Sequence, residues 1–174
     1  HSIKHRPQWT KNRRKTEKDI EWLSRREYNP FLWRAWMLMG RSQFHKGAFD
    51  EAASTFAYMG RLYQTQPAIY AKSRAWLAKC YIEEGWIYDA EDVIRGMERD
   101  SIHWSARKEW DYTYADYYIH TGEYEKAIPH LRQVIRHEMR RKQRAREWYL
   151  LGQLHTAVGN RSEAMKAFRY VIKQ

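Results

Sequence analysis

Met39-Gly40-Arg-Ser-Gln-Phe-His-Lys-Gly47-Ala-Phe-Asp-Glu-Ala52-Ala-Ser-Thr-Phe56 is the stretch on which the fold turns, because its landmarks return three more times. Gly47 recurs as Gly85, Gly122 and Gly159, at intervals of 38, 37 and 37 residues, and five residues after each comes an alanine: Ala52, Ala90, Ala127, Ala164. Seven residues before each glycine stands another small residue, Gly40, Ala78, Ala115 or Gly152, preceded by a large apolar one, Met39, Leu77, Tyr114 or Leu151. Four residues beyond each alanine lies Phe56, Ile94, Leu131 or Phe168. A period of this size marks stacked supersecondary units rather than one fold closed around a catalytic centre. The functional question therefore moves to surface recognition.

Each unit reads as two antiparallel helices, the glycine ending the first in the left-handed conformation that other residues enter at a cost. Small residues let the helices approach, and large ones fill the space beside that contact. The pattern predicts helix pairs over 31–46 with 49–62, 68–84 with 87–99, 102–121 with 124–138, and 142–158 with 161–173. Asn29-Pro30 reads as an N-cap followed by a first-turn proline, and Pro67 and Ser101 fit similar parts. Pro129 falls after the start of its helix and is expected to bend it or shift its first turn.

Trp36, Gly40, Phe44, Gly47, Phe49, Ala52 and Phe56 together resemble the tetratricopeptide pattern, and Trp148, Gly152, Gly159, Ala164 and Phe168 repeat most of it. The central units depart from it, with Arg74 and Asp111 in the tryptophan place, and Arg161 replaces the second aromatic residue of the last unit. The period also exceeds the usual 34 residues, so helices or turns between units must be extended. The resemblance implies an all-α, right-handed α-solenoid of about four such pairs, with units at about 31–66, 67–100, 101–140 and 141–174. Residues 1–30 are then a basic helical segment, the end of a preceding unit.

Whole phrases carry a narrower resemblance: Asn29-Pro-Phe-Leu-Trp-Arg-Ala-Trp36, Gly47 to Phe56, Gly85-Trp-Ile-Tyr-Asp-Ala-Glu-Asp92, and Arg144 to Gly152. These are similar to the tetratricopeptide lipoproteins of gliding motility and type IX secretion in Bacteroidota. That resemblance implies a periplasm-facing accessory protein at the outer membrane that scaffolds other secretion components.

The chain has 174 residues, 43% hydrophobic and 16% aromatic, enough for a continuous core. No apolar run approaches the roughly 20 residues of a membrane helix. The chain begins at His1 without methionine or signal peptide, as a fragment would, and any export signal or lipid-bearing cysteine would then lie upstream. Cys80 is the sole cysteine, which excludes an internal disulfide and a multi-cysteine metal site. Its place in Leu77-Ala-Lys-Cys80 superficially resembles an acylation site, but mid-helix it reads as a small buried apolar residue.

The net charge of +11 is unevenly spread. Residues 1–30 hold nine Lys/Arg against four Asp/Glu, including Lys11, Arg13, Arg14, Lys15 and Lys18, and residues 136–147 hold six against two. Such surfaces suit an acidic protein, an anionic head group or nucleic acid. Arg140, Arg141, Lys142, Arg144 and Arg146 fall at a turn between units, where a solvated surface with late-helix cations complementing the dipole is the simpler reading. Basic residues interleaved with Trp and Tyr also suit nucleic-acid backbones and bases. Against that stand Glu109 and Asp116, carboxylates at the first-helix positions that hold Arg34, Lys72 and Arg146, or Arg41, Lys79 and Gln153, in the other units.

By the resemblance, first helices line a concave groove whose positions here are Arg34, Met37, Arg41, Phe44, His45, Lys72, Lys79, Ile82, Glu109, Tyr112, Asp116, Ile119, Tyr149 and Gln153. Apolar patches flanked by charge suit a peptide or helix laid along them. Phe44, Ile82 and Ile119 are also suited to packing between repeats, which leaves Met37, Tyr112 and Tyr149 as the better contact candidates. Met37 and Arg41 stand where the carboxylate clamp of related chaperone cofactors needs lysine and asparagine, so chaperone-tail binding does not transfer.

Enzyme readings fail on arrangement. None of the eight histidines forms an HExxH, and His137-Glu138 is followed by Met139-Arg140-Arg141. His45 and His120 share a repeat position two units apart, and the glycines from Gly40 to Gly47 lie within a helical pattern rather than a phosphate-cradling loop. Asp89, Glu91 and Asp92 fit the positive end of a second helix better than a cation site. Trp36 and Trp148 match interhelical core positions. The sequence thus predicts a non-catalytic protein-binding scaffold, with no cofactor, metal or small-molecule substrate and membrane contact only through an upstream lipid anchor. A spacer using its ends rather than its groove is the alternative, and a nucleic-acid-binding helical repeat is the weaker one.

Overall fold

The computed structural model describes residues 17–18, 30–97 and 101–173, and every regular element among them is a helix. In chain order these are α1 (Leu32–His45), α2 (Phe49–Leu62), α3 (Pro67–Glu83), α4 (Ile87–Arg95), a 3-10 turn (Trp104–Ala106), α5 (Arg107–His120), α6 (Tyr124–His137), α7 (Arg141–Ala157) and α8 (Arg161–Lys173). The four expected pairs are therefore α1–α2, α3–α4, α5–α6 and α7–α8. The chain divides into two compact units, His1–Ala106 and Arg107–Gln174. In the first, α1 packs on α2, α2 on α3 and α3 on α4; the second repeats this order from α5 to α8.

One device ends every first helix. Gly47, Gly85, Gly122 and Gly159 have φ of 80°, 78°, 78° and 82°, the left-handed region that favours glycine. At α1, the Gly47 N–H donates to the Phe44 carbonyl and the Ala48 N–H to that of Gln43, which is the Schellman closure. The same pair of bonds recurs at Gly85/Trp86, Gly122/Glu123 and Gly159/Asn160. Each second helix then opens with carboxylates facing its positive end: Asp50 and Glu51, Asp89, Glu125, Glu163.

The starts of the first helices depart from expectation. Phe31, not Asn29, is the N-cap residue of α1, with Pro30 in a turn before it and Asn29 outside the described residues. Ser101 does not cap α5; the chain first makes the 3-10 turn, where the Ser105 N–H donates to His103 Nδ1 at 3.2 Å. Pro67 occupies the first turn of α3 as expected. Helix α6 runs through Pro129, forgoing the bond that an N–H there would make to the Glu125 carbonyl. Helix α4 stops at Arg95, short of the expected 99, with Gly96 at its C-cap. The longer period is taken up in α3 and α7, of 17 residues each, and in the 3-10 turn.

The cations of 140–146 also differ from their expected setting. Arg141, Lys142 and Arg144 enter the first turn or so of α7, which has no acidic residue, rather than a helix end that welcomes positive charge. Glu138, just outside that helix, offsets this: Arg140 Nη2 donates to its Oε1 at 2.9 Å. Of the expected basic segment 1–30, only residues 17, 18 and 30 are described. There the Tyr58 hydroxyl donates to the Glu17 carbonyl at 2.7 Å and Arg61 pairs with the Glu17 carboxylate at 3.1 Å.

Small-beside-large is literal in the core. A methyl group at Gly40 would lie 2.6 Å from Phe56 Cζ, and one at Gly152 would collide with the Phe168 ring. Ala52, Ala78, Ala90, Ala115, Ala127 and Ala164 are all buried, as is Cys80, whose thiol burial pushes well above its usual range. Trp36 and Trp148 are only half-buried. Each packs on a tyrosine at one shared register, Trp36 edge-on to Tyr58 at 5.8 Å and Trp148 stacked on Tyr170 at 4.3 Å. At the same position Asp111 is buried and accepts a 2.8 Å hydrogen bond from His130 Nδ1, with the imidazole stacked on Tyr114.

Candidate functional site

In the first unit the faces of α1 and α3 form a ladder of cations and rings. Lys72 and Lys79 project from α3 at a spacing of seven, two turns apart on one face, with Trp76 between them. Lys72 Nζ lies 5.3 Å from the Trp33 ring centre, and the Arg34 guanidinium lies 5.1 Å from the same ring. Trp76 receives Lys79 at 4.4 Å and Arg41 at 5.2 Å, and stacks on Phe56 at 5.7 Å. Phe44 meets Trp76 edge-on at 5.4 Å and also lies 5.4 Å from Lys79 Nζ. Ring quadrupoles help to hold these cations, of which Arg34 and Arg41 are exposed while Lys79 is buried with Trp76.

In the second unit the corresponding face carries carboxylates on α5, while α7 has Arg146 and Gln153 at the same register. Tyr112, Asp116 and Ile119 of α5, Leu131 and Val134 of α6, and Glu147 and Leu150 of α7 line a partly open cavity of about 40 Å³. Glu147 is 4% exposed, and burial, with the Glu138 charge adding, pushes its carboxyl up to about 7. Burial works the same way on Glu138, but hydrogen bonds and charge from Arg140 outweigh it and leave that carboxyl below its usual range. Both Glu109 Oε2 and Glu147 Oε2 are buried without a hydrogen bond from any described residue. On α7, His155 is buried, and burial together with Arg132 lowers its pKa.

The expected groove residues separate into three groups. Arg34, Arg41, His45, Tyr149 and Gln153 are exposed, and Phe44, Lys72, Glu109, Tyr112, Asp116 and Ile119 are partly buried. Met37, Lys79 and Ile82 are buried, which corrects their assignment as open groove positions. Met37 shares the packed stripe of α1 with Gly40, Ile82 is fully enclosed, and the Lys79 ammonium is drawn over Trp76. Tyr112 lies beside α7 residues in the cavity wall, whereas Tyr149, one repeat later, is 51% exposed with Phe168 as its ring neighbour. His45 and His120 each end a first helix.

Trp33, Trp76, Glu147 and Leu150 belong to these faces although the repeat register passed over them. Trp76 was detectable as the ring flanked by Lys72 and Lys79. Glu147 was detectable as a carboxylate four and seven residues before Leu151 and Leu154, on a stripe otherwise apolar. Among the described residues no group of three or more His, Cys, Asp or Glu could hold a metal ion, and no helix is long and apolar enough to cross a membrane.

Paired helices closed by glycine, small-to-large contacts between them, and first-helix faces rich in rings and charge define a helical-repeat interaction scaffold. The chain belongs to the tetratricopeptide repeat family, whose model matches residues 17–67 and 112–174. No curated protein matches it in sequence. Among solved structures it is similar to the crystal structure of MamA, with a TM-score of 0.55 and 20% identity over 77% of this chain and 72% of that one. The fold is accordingly an all-α, tetratricopeptide-like solenoid.

Proposed function

We propose that the chain is a non-catalytic scaffold that binds segments of partner proteins on its first-helix faces, as an accessory module of a type IX secretion or gliding apparatus at the periplasmic face of the outer membrane. Protein binding follows from membership of the repeat family. The observation that carries the choice of surface is the exposed guanidinium of Arg41, held 5.2 Å from the Trp76 ring beside partly buried Phe44, with Lys79 buried against the same ring. Its charge suits a partner segment bearing carboxylates. Support for the secretion role comes from the sequence phrases at 29–36, 47–56, 85–92 and 144–152.

The test changes Arg41, Tyr112 and Tyr149 together and measures recovery of secretion components by the intact and altered proteins. Loss of recovery with an unchanged helical spectrum is the expected result; a folded triple variant that recovers them equally removes these faces from the function. Nucleic acid is the competing ligand for a basic aromatic face, yet here the rings already carry cations. Titration with a labelled oligonucleotide at two salt concentrations separates the two, because phosphate binding weakens steeply with salt.

A further inference from the structure

Helix packing does not explain why a carboxylate is enclosed between α5, α6 and α7. Glu147 is 4% exposed, lines the cavity, and its Oε2 accepts no hydrogen bond from any described residue. Gln143 bonds this carboxyl elsewhere, but a buried oxygen left without a donor is disfavoured, so such a group is retained where something else meets it. The cavity walls are otherwise mainly aliphatic, through Ile119, Leu131, Val134 and Leu150, with Asp116 supplying a second carboxylate. Its volume of about 40 Å³ holds a few water-sized groups, enough for an ammonium and the end of its stem. A drug-sized ligand is far too large.

We infer that this pocket receives the ammonium end of a lysine side chain from the bound partner, the charge meeting Glu147 and Asp116 and the stem lying along Ile119 and Leu150. The inference rests on reading this face as a protein-binding surface. Lysine fits better than arginine, because an ammonium is compact and carried on a thin aliphatic stem, whereas a guanidinium is a wide planar fork. Lys108 and Arg140 both act on Glu147 through charge, and Arg140 is committed to Glu138, which it binds through Nε at 3.3 Å and Nη2 at 2.9 Å.

The charged and titratable groups around Glu147 are Lys108, Tyr112 and Asp116 from α5, and Glu138 and Arg140 between α6 and α7. Helix α6 contributes Leu131 and Val134 to the pocket, and Gln143 of α7 bonds the Glu147 side chain. With the Glu147 carboxyl near 7, an arriving ammonium expels its proton, so binding strengthens as pH rises.

The experiment titrates n-butylammonium chloride into the full chain carrying labelled methyl groups and follows the resonances of Ile119, Leu131, Val134 and Leu150. Saturable shifts at pH 8 are expected, with affinity about tenfold lower at pH 6, where Glu147 is mostly protonated. Glu147→Gln should abolish them while keeping a dispersed spectrum, and Asp116→Asn should weaken them severalfold. The lysine pocket is overturned by equal shifts with n-butanol, by undiminished binding to a folded Glu147→Gln, or by no saturation up to about 100 mM, a weaker fit than fragments in built sites show. Partner recovery that survives such a failure leaves the protein-binding reading standing and removes only the lysine pocket; loss of both removes the surface itself.

Discussion

At two first-helix positions the third repeat carries carboxylates where the first unit carries cations, while the fourth repeat has Arg146 and Gln153 there. Arg41 and Lys79 have Asp116 as their counterpart, and Lys72 has Glu109. In the first unit the cations rest on Trp33, Trp76 and Phe44; in the second, carboxylates stand among tyrosine and aliphatic side chains. The repeat thus holds the glycine turns and helix contacts constant and leaves the exposed faces free to diverge.

The largest effect expected is on the ring at the centre of the first face. Trp76→Ala removes a buried indole that carries Arg41 and Lys79 on one side of its contacts and Phe56 on another, and should cost about 3–5 kcal/mol in urea unfolding. Tyr112→Ala, at a half-buried position of the second face, should cost less than half of that. Equal losses would break the contrast between a ring enclosed in the first unit's core and a half-buried tyrosine at the wall of the second unit's pocket.

Next comes the pH dependence of the second unit. The folded-state pKa of Glu147 lies at about 7, above the ordinary 4.5, so the native state holds the extra proton between those values. This contribution is fully present below about pH 4.5 and is lost as pH rises through 7, amounting to at most about 3 kcal/mol. Glu147→Gln has no such proton to lose, so its stability should fall less between pH 5 and pH 8 than that of the parent. Parallel stability curves would place Glu147 in a far wetter setting than its burial indicates.

The fold was legible in the sequence because a glycine with positive φ and an alanine at a helix crossing have few substitutes. Gly47, Gly85, Gly122 and Gly159 stand at the turns they marked, and Ala52, Ala90, Ala127 and Ala164 lie in the packed stripe. Helix starts were less legible: His103 and Ser105 organise the approach to α5 through a side-chain bond that no spacing rule encodes. The faces were half legible. Repeat register gave Arg41, Lys72, Tyr112 and Asp116, but whether a residue at that register is open depends on its neighbours. Met37 and Ile82 are closed over, and Glu147 belongs to a stripe that faces backward along the repeat.

The smallest expected effect tests what the units share. Gly40→Ala gains up to about 1 kcal/mol of helix propensity, yet sets a methyl group 2.6 Å from the Phe56 ring, which is fully buried and stacked on Trp76. Overpacking of that kind costs about 1–3 kcal/mol, so the net change should be destabilising. Gly152→Ala should cost less, because Phe168 is only half-buried and has room to turn aside. The two inner pairs hold Ala78 with Ile94 and Ala115 with Leu131 at these positions, a smaller partner wherever the glycine is replaced. Phe56→Leu should therefore rescue part of the Gly40→Ala loss, with a coupling of about 1 kcal/mol in the double-mutant cycle. Additive losses would mean that the glycine is required by something other than the ring, and that outer and inner pairs do not solve the same packing problem.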